Sequence, residues 1–361
     1  MISIYNERLS AVRHQLAQWE ADSLLIGSPA NRRWLSGFTG STGWLLITFD
    51  RALLATDSRY WEQAQQQAPE FELFQVTDGM ADSWSSLFDT GGVKHLVVEG
   101  SHLAVQQYDT IRQKSAVEPL PREHTIEPLR RRKSAAEIDS IRNAAAIADE
   151  AMASVPKMIR LGMTELELAW ELEKHMRELG AEAVAFPIIV AAGPNSALPH
   201  HRPGEGRLAS GDAVVIDLGA RLNGYHSDLT RTFYLGSEPG ERFREVYETV
   251  AQAQETALNE LHASLTGAEA DVLSRDVIVA AGYGEHFGHS LGHGVGLEVH
   301  EAPRLSQRAP DEVIGADSVV TVEPGIYLTD WGGVRIEDLV LVTANGVELL
   351  SQSPKQPYLP L

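Results

Sequence analysis

Two stretches end apolar runs with carboxylates: VVIDLGARLNGYHSDLTRTF, residues 214–233, carries Asp217 and Asp228, while VEPGIY and GGVRIED carry Glu323 and Glu337. Carboxylates are almost never fully buried without a partner, so four of them facing a core require counter-charge. Asn223-Gly224 is a two-residue hairpin signal, and a type I′ turn there places residue 217 opposite 230. Residue 228 has the same parity as 230, so Asp217 and Asp228 become diagonal neighbours on one face, within reach of a shared ion. Pro324 biases Glu323 toward an extended backbone, as at a strand end. No four basic residues in these segments reach such a site, whereas two divalent cations balance four carboxylates.

A third stretch, FGHSLGHGVGLEVH, supplies His289, His293 and His300. The first two have the i,i+4 spacing of a zinc-binding helix, but the intervening Glu is missing and Gly288, Gly292, Gly294 and Gly296 oppose a helix. A tight glycine-rich strand or loop is expected instead. Carboxylate oxygens with one imidazole suit Mn²⁺, Co²⁺ or Zn²⁺. Two such ions about 3.5 to 4 Å apart activate water and polarise a carbonyl, which is the chemistry of hydrolysis.

These residues need a scaffold. At 361 residues the chain has room for about two domains. Leu9, Val12, Leu16 and Trp19 share one face of a helix over 7–20. The runs SLLIG, GWLLITF, RALLAT, FELFQV and HLVVEG alternate with helical stretches near 58–68 and 102–114, which reads as α/β. Prolines and charge in EPLPREHTIEPLRRRKS break the periodicity, so the domain boundary is placed near 128, separating 1–127 from 128–361. The RRRK run at 130–133 reads as a solvated linker. Beyond it, Ser134 with Glu137 and Thr164 with Glu167 form capping boxes, the second opening a helix that Gly180 ends. A strand over 184–190, a Gly/Pro-rich loop to about 212, the hairpin, helices over 238–262 and 266–281, and a strand-rich final third follow, with no internal repeat of 20–50 residues.

The formal charge of −20 and the lack of any basic stripe exclude a nucleic-acid surface. With no cysteine, disulfides, thiolate nucleophiles and thiolate metal sites are excluded too. No apolar run reaches the roughly 18 residues of a membrane span and MISIYNERLS is not a signal peptide, so no membrane association and a cytoplasmic location are expected.

Asp217, Asp228, His293, Glu323 and Glu337 resemble the D…D…H…E…E ligand set of the M24 metallopeptidases, the pita-bread fold shared by methionine aminopeptidase, aminopeptidase P and prolidase. IDLGA, SDLTRTF, GHGVG, VEPGIY and GVRIED stand in family order. NRRWLSGFTGSTGWLLI and DSRYWEQA resemble the creatinase-type N-terminal domain of the Xaa-Pro peptidases, and LRRRKSAAEIDSIRNAAAIADEAM resembles their linker helix. Methionine aminopeptidases lack that N-terminal domain, and creatinase lacks the ligand set.

The resemblance implies a creatinase-like N-terminal α/β domain followed by a pita-bread catalytic domain, an α/β (α+β) chain overall. It implies two divalent ions, Mn²⁺ first with Co²⁺ or Zn²⁺ as alternatives, bridged by Asp228 and Glu337, with Asp217 binding the pair, His293 on one ion and Glu323 on the other. Glu323 would also be the general base toward an activated water. His200, in SALPHH, resembles a histidine that contacts substrate beyond the scissile bond, His300 one that stabilises the tetrahedral oxyanion, and His289 a third substrate-side histidine. Arg335 shares strand parity with Glu337 and would orient a ligand carboxylate or recognise a substrate carboxylate. His201 and Arg202 are candidates for the leaving-group pocket, while Asp212, Glu298 and Glu301 match no family ligand and read as loop or surface acids.

The expected activity is removal of the residue ahead of proline at a peptide N-terminus, of aminopeptidase P type. The alternative is a prolidase restricted to Xaa-Pro dipeptides, for which Arg202, Arg304 and Arg335 are candidate carboxylate clamps. A non-catalytic binding protein on the same fold is a third reading, which the complete ligand set disfavours. The implied partners are proline-containing peptides and a second copy of the chain, with the 37–43 loop as the dimer contact.

Overall fold

The computed structural model describes residues 3–359 and divides into two compact units, Met1–Arg130 and Arg131–Leu361. The first unit is a six-stranded sheet with helices. Its strands are β1 (Ser23–Ile26), β2 (Trp44–Thr48), β3 (Ala52–Asp57), β4 (Glu72–Val76), β5 (Leu96–Glu99) and β6 (Pro119–Arg122), in the order β4-β3-β2-β1-β5-β6. The β1–β2 and β2–β3 pairs are antiparallel, the second across a short turn and the first across a connection that holds a helix; the β1–β5, β3–β4 and β5–β6 pairs are parallel and need crossovers. The helices are α1 (Ile4–Gln18), α2 (Pro29–Ser36), α3 (Trp61–Gln67), α4 (Met80–Gly91), α5 (Val105–Lys114) and the single turn α6 (Glu127–Arg130).

Helix α1 buries Leu9, Val12 and Leu16 as its spacing predicts, and Ser3 caps it by accepting from Asn6 N. Helices α2 and α4 and strand β6 go beyond the sequence expectation. The first helix is short and begins at Pro29, with Gly37 at φ 77° closing it in the left-handed conformation that glycine tolerates. The second carries Trp84, Leu87 and Phe88 at helical spacing, a signal that serine and aspartate between them dilute.

The second unit holds helices α7 (Ala135–Met158), α8 (Glu165–Glu178), α9 (Glu241–Glu260) and α10 (Gly267–Ala280). Its strands are β7 (Ala183–Val184), β8 (Ile189–Ala192), β9 (Ala213–Leu218), β10 (Ala220–Leu222), β11 (Tyr225–His226), β12 (Leu229–Leu235), β13 (Gly292–Gly294), β14 (Glu301–Leu305), β15 (Val319–Val322), β16 (Gly325–Leu328), β17 (Gly332–Arg335), β18 (Asp338–Thr343), β19 (Gly346–Leu349) and β20 (Tyr358–Leu359). One order occurs twice: a long helix, a shorter helix opened by a Thr-x-x-Glu capping box, then sheet. Thr164 and Glu167 cap α8, and Thr266 and Glu269 cap α10. The α7–α8 pair buries Met152, Leu168 and Leu172 with Val214 and Ile216 of the β20-β12-β9-β8 sheet. From the second pair, Val246, Val250 and Ile278 pack with Ile326, Val334 and Ile336. No sequence repeat marks this architectural one, because each half needs only an apolar face, which many sequences supply.

The central hairpin has the expected register: Thr230 lies opposite Asp217, and Asn223 and Gly224 at φ 49° and 72° have the positive angles a type I′ turn requires. Among the described residues no helix is long and apolar enough to cross a membrane.

The basic run at 130–133 departs from the solvated-linker expectation. Arg130 donates to Asn31 Oδ1 at 2.7 Å. Arg131 reaches Val313 O, Arg132 pairs with Asp317, and Lys133 Nζ meets Glu301 Oε1 at 2.8 Å with both side chains buried. Glu301 is therefore a buried ion-pair partner rather than a surface acid. Local charge counting misses this because the partner lies far along the chain. Removing one member of a buried pair strands the other, so Lys133→Met should destabilise the protein by about 3 to 5 kcal/mol in chemical denaturation. The double change Lys133→Met, Glu301→Leu should recover most of that loss.

Candidate metal centre and active site

Asp217 comes from β9, Asp228 from the residue before β12, His293 from β13, Glu323 from the end of β15, and Glu337 from the turn between β17 and β18. Oxygens of Asp228 and Glu337 and a ring nitrogen of His293 lie within 4.8 Å of one another. Glu323 Oε1 is 3.3 Å from His293 Nε2, and Asp228 Oδ2 is 3.7 Å from it. Asp217 turns Oδ2 to Arg335 Nη2 at 2.7 Å, while its Oδ1 is buried with no hydrogen-bond partner. Five residues separated by up to 120 positions thus line one cleft.

Glycine makes the approach of β13 feasible. A Cβ on Gly292 would sit 2.1 Å from Thr321 O, and one on Gly294 would sit 2.3 Å from Ala302 O. His293 therefore rides a strand with a bulge after it, as the glycine pattern predicts, and not a helix.

Side chains that the sequence did not single out hold the cluster. Thr230 Oγ1 accepts from Arg335 Nε at 3.1 Å and donates to Glu337 Oε2 at 2.6 Å. Thr321 Oγ1 accepts from His293 N at 3.0 Å and donates to Glu323 Oε1 at 3.1 Å. Tyr327 accepts from Arg335 Nη1 at 2.8 Å. It also lies 2.9 Å from His289 Nε2, whose ring Nδ1 is 2.8 Å from Ser290 O. A carbonyl only accepts, so Nδ1 carries the proton and Tyr327 donates to Nε2. Thr230 was legible as the partner of Asp217, and the β16–β17 hairpin puts Tyr327 on the face of Arg335.

Both nitrogens of His289 are thus engaged, one by Ser290 O and the other by Tyr327. His200 and His300 are exposed with no hydrogen-bond partner among the described residues, and the His300 ring lies 4.1 Å from that of His293. His201 turns its Nε2 to Glu165 at 2.8 Å. Arg202 is exposed, as is Arg304, which sits opposite His293 across β13–β14 with no ion pair among the described residues. Glu298 is exposed as expected, and Asp212 is half-buried, accepting from Ala209 N at 2.8 Å.

The electrostatics are those of a crowded anionic site. Burial, then the charges of Glu337, Asp217 and Glu323, push Asp228 well above the usual carboxylate range. Burial, then Glu323 and Asp217, does the same to Glu337, and burial, then Asp217, lifts Glu323 to about 7. Burial opposes the charge on Arg335, but Tyr327, Asp217, Glu323 and Glu337 together outweigh it. Burial, then His300, lowers His293 to about 3, so its ring is neutral. Its Nδ1 faces Gly294 O at 3.1 Å and holds the proton, leaving the Nε2 lone pair aimed at two carboxylate oxygens. Lone pairs converging on one another, beside the orphaned Asp217 Oδ1, fit a bound cation.

Residues 139–344 match metallopeptidase family M24, and residues 8–132 match the creatinase/prolidase N-terminal domain. The chain belongs to metallopeptidase family M24. It is accordingly a hydrolase, and divalent metal ions are its cofactor class. The two-domain architecture implied by the motifs is the one found. An Xaa-Pro dipeptidase from Bacillus anthracis superposes with a TM-score of 0.96 at 41% identity, covering 98% of this chain and 99% of that one. The X-Pro aminopeptidase from Thermotoga maritima gives 0.88 at 38% identity, over 95% and 99%. An Xaa-Pro dipeptidase of Pyrococcus horikoshii is 37% identical over 358 residues, 98% of this chain and 99% of that one.

The raised carboxyls set the pH response of this M24 peptidase without metal. The lowered histidines oppose this up to about pH 7.5, because unfolded rings titrating at 6.5 hold protons that the folded ones do not; above about pH 7.5 they are neutral in both states and contribute little slope. The folded carboxyls still hold protons there that the unfolded ones, near 4.5 for glutamate, have lost. There the folded state binds more protons, chiefly at Asp228 and Glu337, so stability falls as pH rises above about 7.5. The melting temperature of chelator-treated protein should drop between about pH 7.5 and 8.5, and added Mn²⁺ should raise it more at about pH 8.5 than at 7.5.

Proposed function

We propose that Asp217, Asp228, His293, Glu323 and Glu337 hold two divalent ions, and that the enzyme hydrolyses the bond preceding proline at the N-terminus of short peptides. The observation that carries the reading is the convergence of the unprotonated His293 Nε2 with oxygens of Asp228 and Glu323, whose electrostatic neighbour Asp217 keeps a buried oxygen without a partner among the described residues. Manganese is our first choice of ion, because oxygen donors outnumber the single imidazole.

When bound, the ions supply Lewis acidity toward the scissile carbonyl and lower the pKa of water. Glu323, bonded to Thr321 Oγ1, takes a proton from the attacking water at its carboxylate and returns it to the leaving nitrogen. His300, exposed beside His293, donates to the oxyanion, and His200 contacts the residue beyond the scissile bond. The Arg335–Tyr327–His289 chain fixes Asp217 and keeps Arg335 from serving as a substrate clamp. An Xaa-Pro bond has no N–H and its ring fixes φ, which a site that grips the carbonyl and ring side accepts. A second copy of the chain, contacting through the 37–43 loop that Arg32 braces by bonds to Gly40 O and Gly43 O, is the assembly we favour.

For substrate length, relatives named dipeptidase and aminopeptidase stand at 41% and 38% identity, so the structure must discriminate. Arg335 is consumed by Asp217, whereas Arg304 is exposed beside His293 and unpaired among the described residues, placed to meet the carboxylate of a dipeptide. This favours dipeptides, with longer Xaa-Pro peptides as the second reading. Glu323→Gln should reduce kcat by at least about 100-fold in a Mn²⁺-loaded assay; near-normal turnover would remove it as the base. Arg304→Ala should raise KM for an Xaa-Pro dipeptide about tenfold and leave an Xaa-Pro-Xaa tripeptide little changed. Equal effects on both would favour the aminopeptidase reading.

A further inference from the structure

Helix α8 opens with Glu165, a carboxylate with 0% exposure that lies outside the metal cluster. Its two oxygens are saturated by donors from a single loop. Oε1 accepts from Ala192 N and Asn195 Nδ2, both at 2.9 Å, and Oε2 accepts from His201 Nε2 at 2.8 Å and Gly204 N at 3.3 Å. Glu165 N donates in turn to Gly206 O at 2.9 Å, and a Cβ on Gly206 would come within 3.0 Å of the carboxylate. A buried charge is costly unless hydrogen-bonded, and here the N-terminal end of the helix favours it as well. The loop is folded around the charge.

That loop carries His200. On one side, Pro199 O accepts from Arg335 Nη1 at 3.3 Å, and Arg335 holds Asp217. On the other, His201 is tied to Glu165. Between these two anchors the His200 ring is exposed and makes no hydrogen bond among the described residues, so what its neighbours fix is the position of the backbone that carries it.

We propose that Glu165 is a positioning residue: through His201 it fixes the stretch that presents His200 to the cleft, so that substrate engagement depends on a carboxylate touching neither the metal ligands nor the substrate. The role of His200 rests on the function proposed above; the anchoring of the loop does not. His201 is accordingly a strut, and its ring is spent on Glu165 rather than on a leaving group.

The test compares wild type, Glu165→Gln, His200→Ala and the double variant in Mn²⁺-loaded enzyme. The readouts are kcat and KM on an Xaa-Pro dipeptide, metal content, and amide hydrogen exchange over residues 198–206. Whichever way it lies, the Gln amide sets its N–H₂ against a backbone N–H, that of Ala192 or of Gly204, at unchanged volume. KM should rise about tenfold with kcat within about twofold and metal content unchanged, and the effect should vanish in the His200→Ala background. Exchange over 198–206 should accelerate at least about tenfold while the rest of the catalytic unit keeps its protection. Unchanged KM, effects of the two substitutions that multiply independently, or a kcat loss tracking metal content would each overturn the inference. Should wild type leave Xaa-Pro peptides intact, the functional reading fails, and exchange decides alone: unchanged exchange in Glu165→Gln overturns the anchoring and accelerated exchange supports it.

Discussion

Four carboxylates share one buried cleft in this peptidase with a single guanidinium among them. Arg335 offsets Asp217, and the other three acids remain without a cationic partner in the cluster, each displaced upward in pKa by burial and by its neighbours. Such a group of charges would separate if its supports were soft, because each carboxylate gains by moving toward water. The catalytic unit is organised so that they cannot.

The supports are mostly neutral hydroxyls and backbone. Thr230 and Thr321 each join two members of the site, one as a relay from Arg335 to Glu337, the other from the His293 amide to Glu323. Beneath them Arg231 is buried and donates to Thr230 O, Glu337 O, Ser353 O and the carboxylate of Asp338, so strand, ligand and C-terminal segment are locked by one planar group. Gln254 adds donors to Val322 O and Ile336 O, just before the two glutamates. Arg231 is itself paired with Asp338, so these bonds to backbone carbonyls hold the positions of Glu323 and Glu337 while adding little net charge beside them, which leaves the anionic cleft able to bind cations.

Substrate-side groups are handled differently. Each candidate histidine sits on a loop whose anchor comes from elsewhere in the unit. Arg275 of α10, paired with Asp271, donates to Phe287 O and His289 O; Lys133 pairs with Glu301 beside His300; Glu165 gathers the loop of His200. The helices and the start of the unit thus act on the cleft through ion pairs and hydrogen bonds made well away from the metal ligands.

The sequence by itself determined the hairpin register that sets Asp217 opposite Thr230, since Asn223-Gly224 and strand parity are local, while His293, Glu323 and Glu337 are singled out by their family motifs. It also determined α1 and the capped helices, whose periodicity and caps are local too. Tertiary structure alone decided the partners of Lys133, Glu165 and Tyr327, because an ion pair or buried carboxylate is defined by residues that meet only after folding. It likewise decided that Arg335 serves Asp217 while Arg304 stays free: the two have the same charge in sequence, and only burial and distance separate a guanidinium that is spent from one that is available.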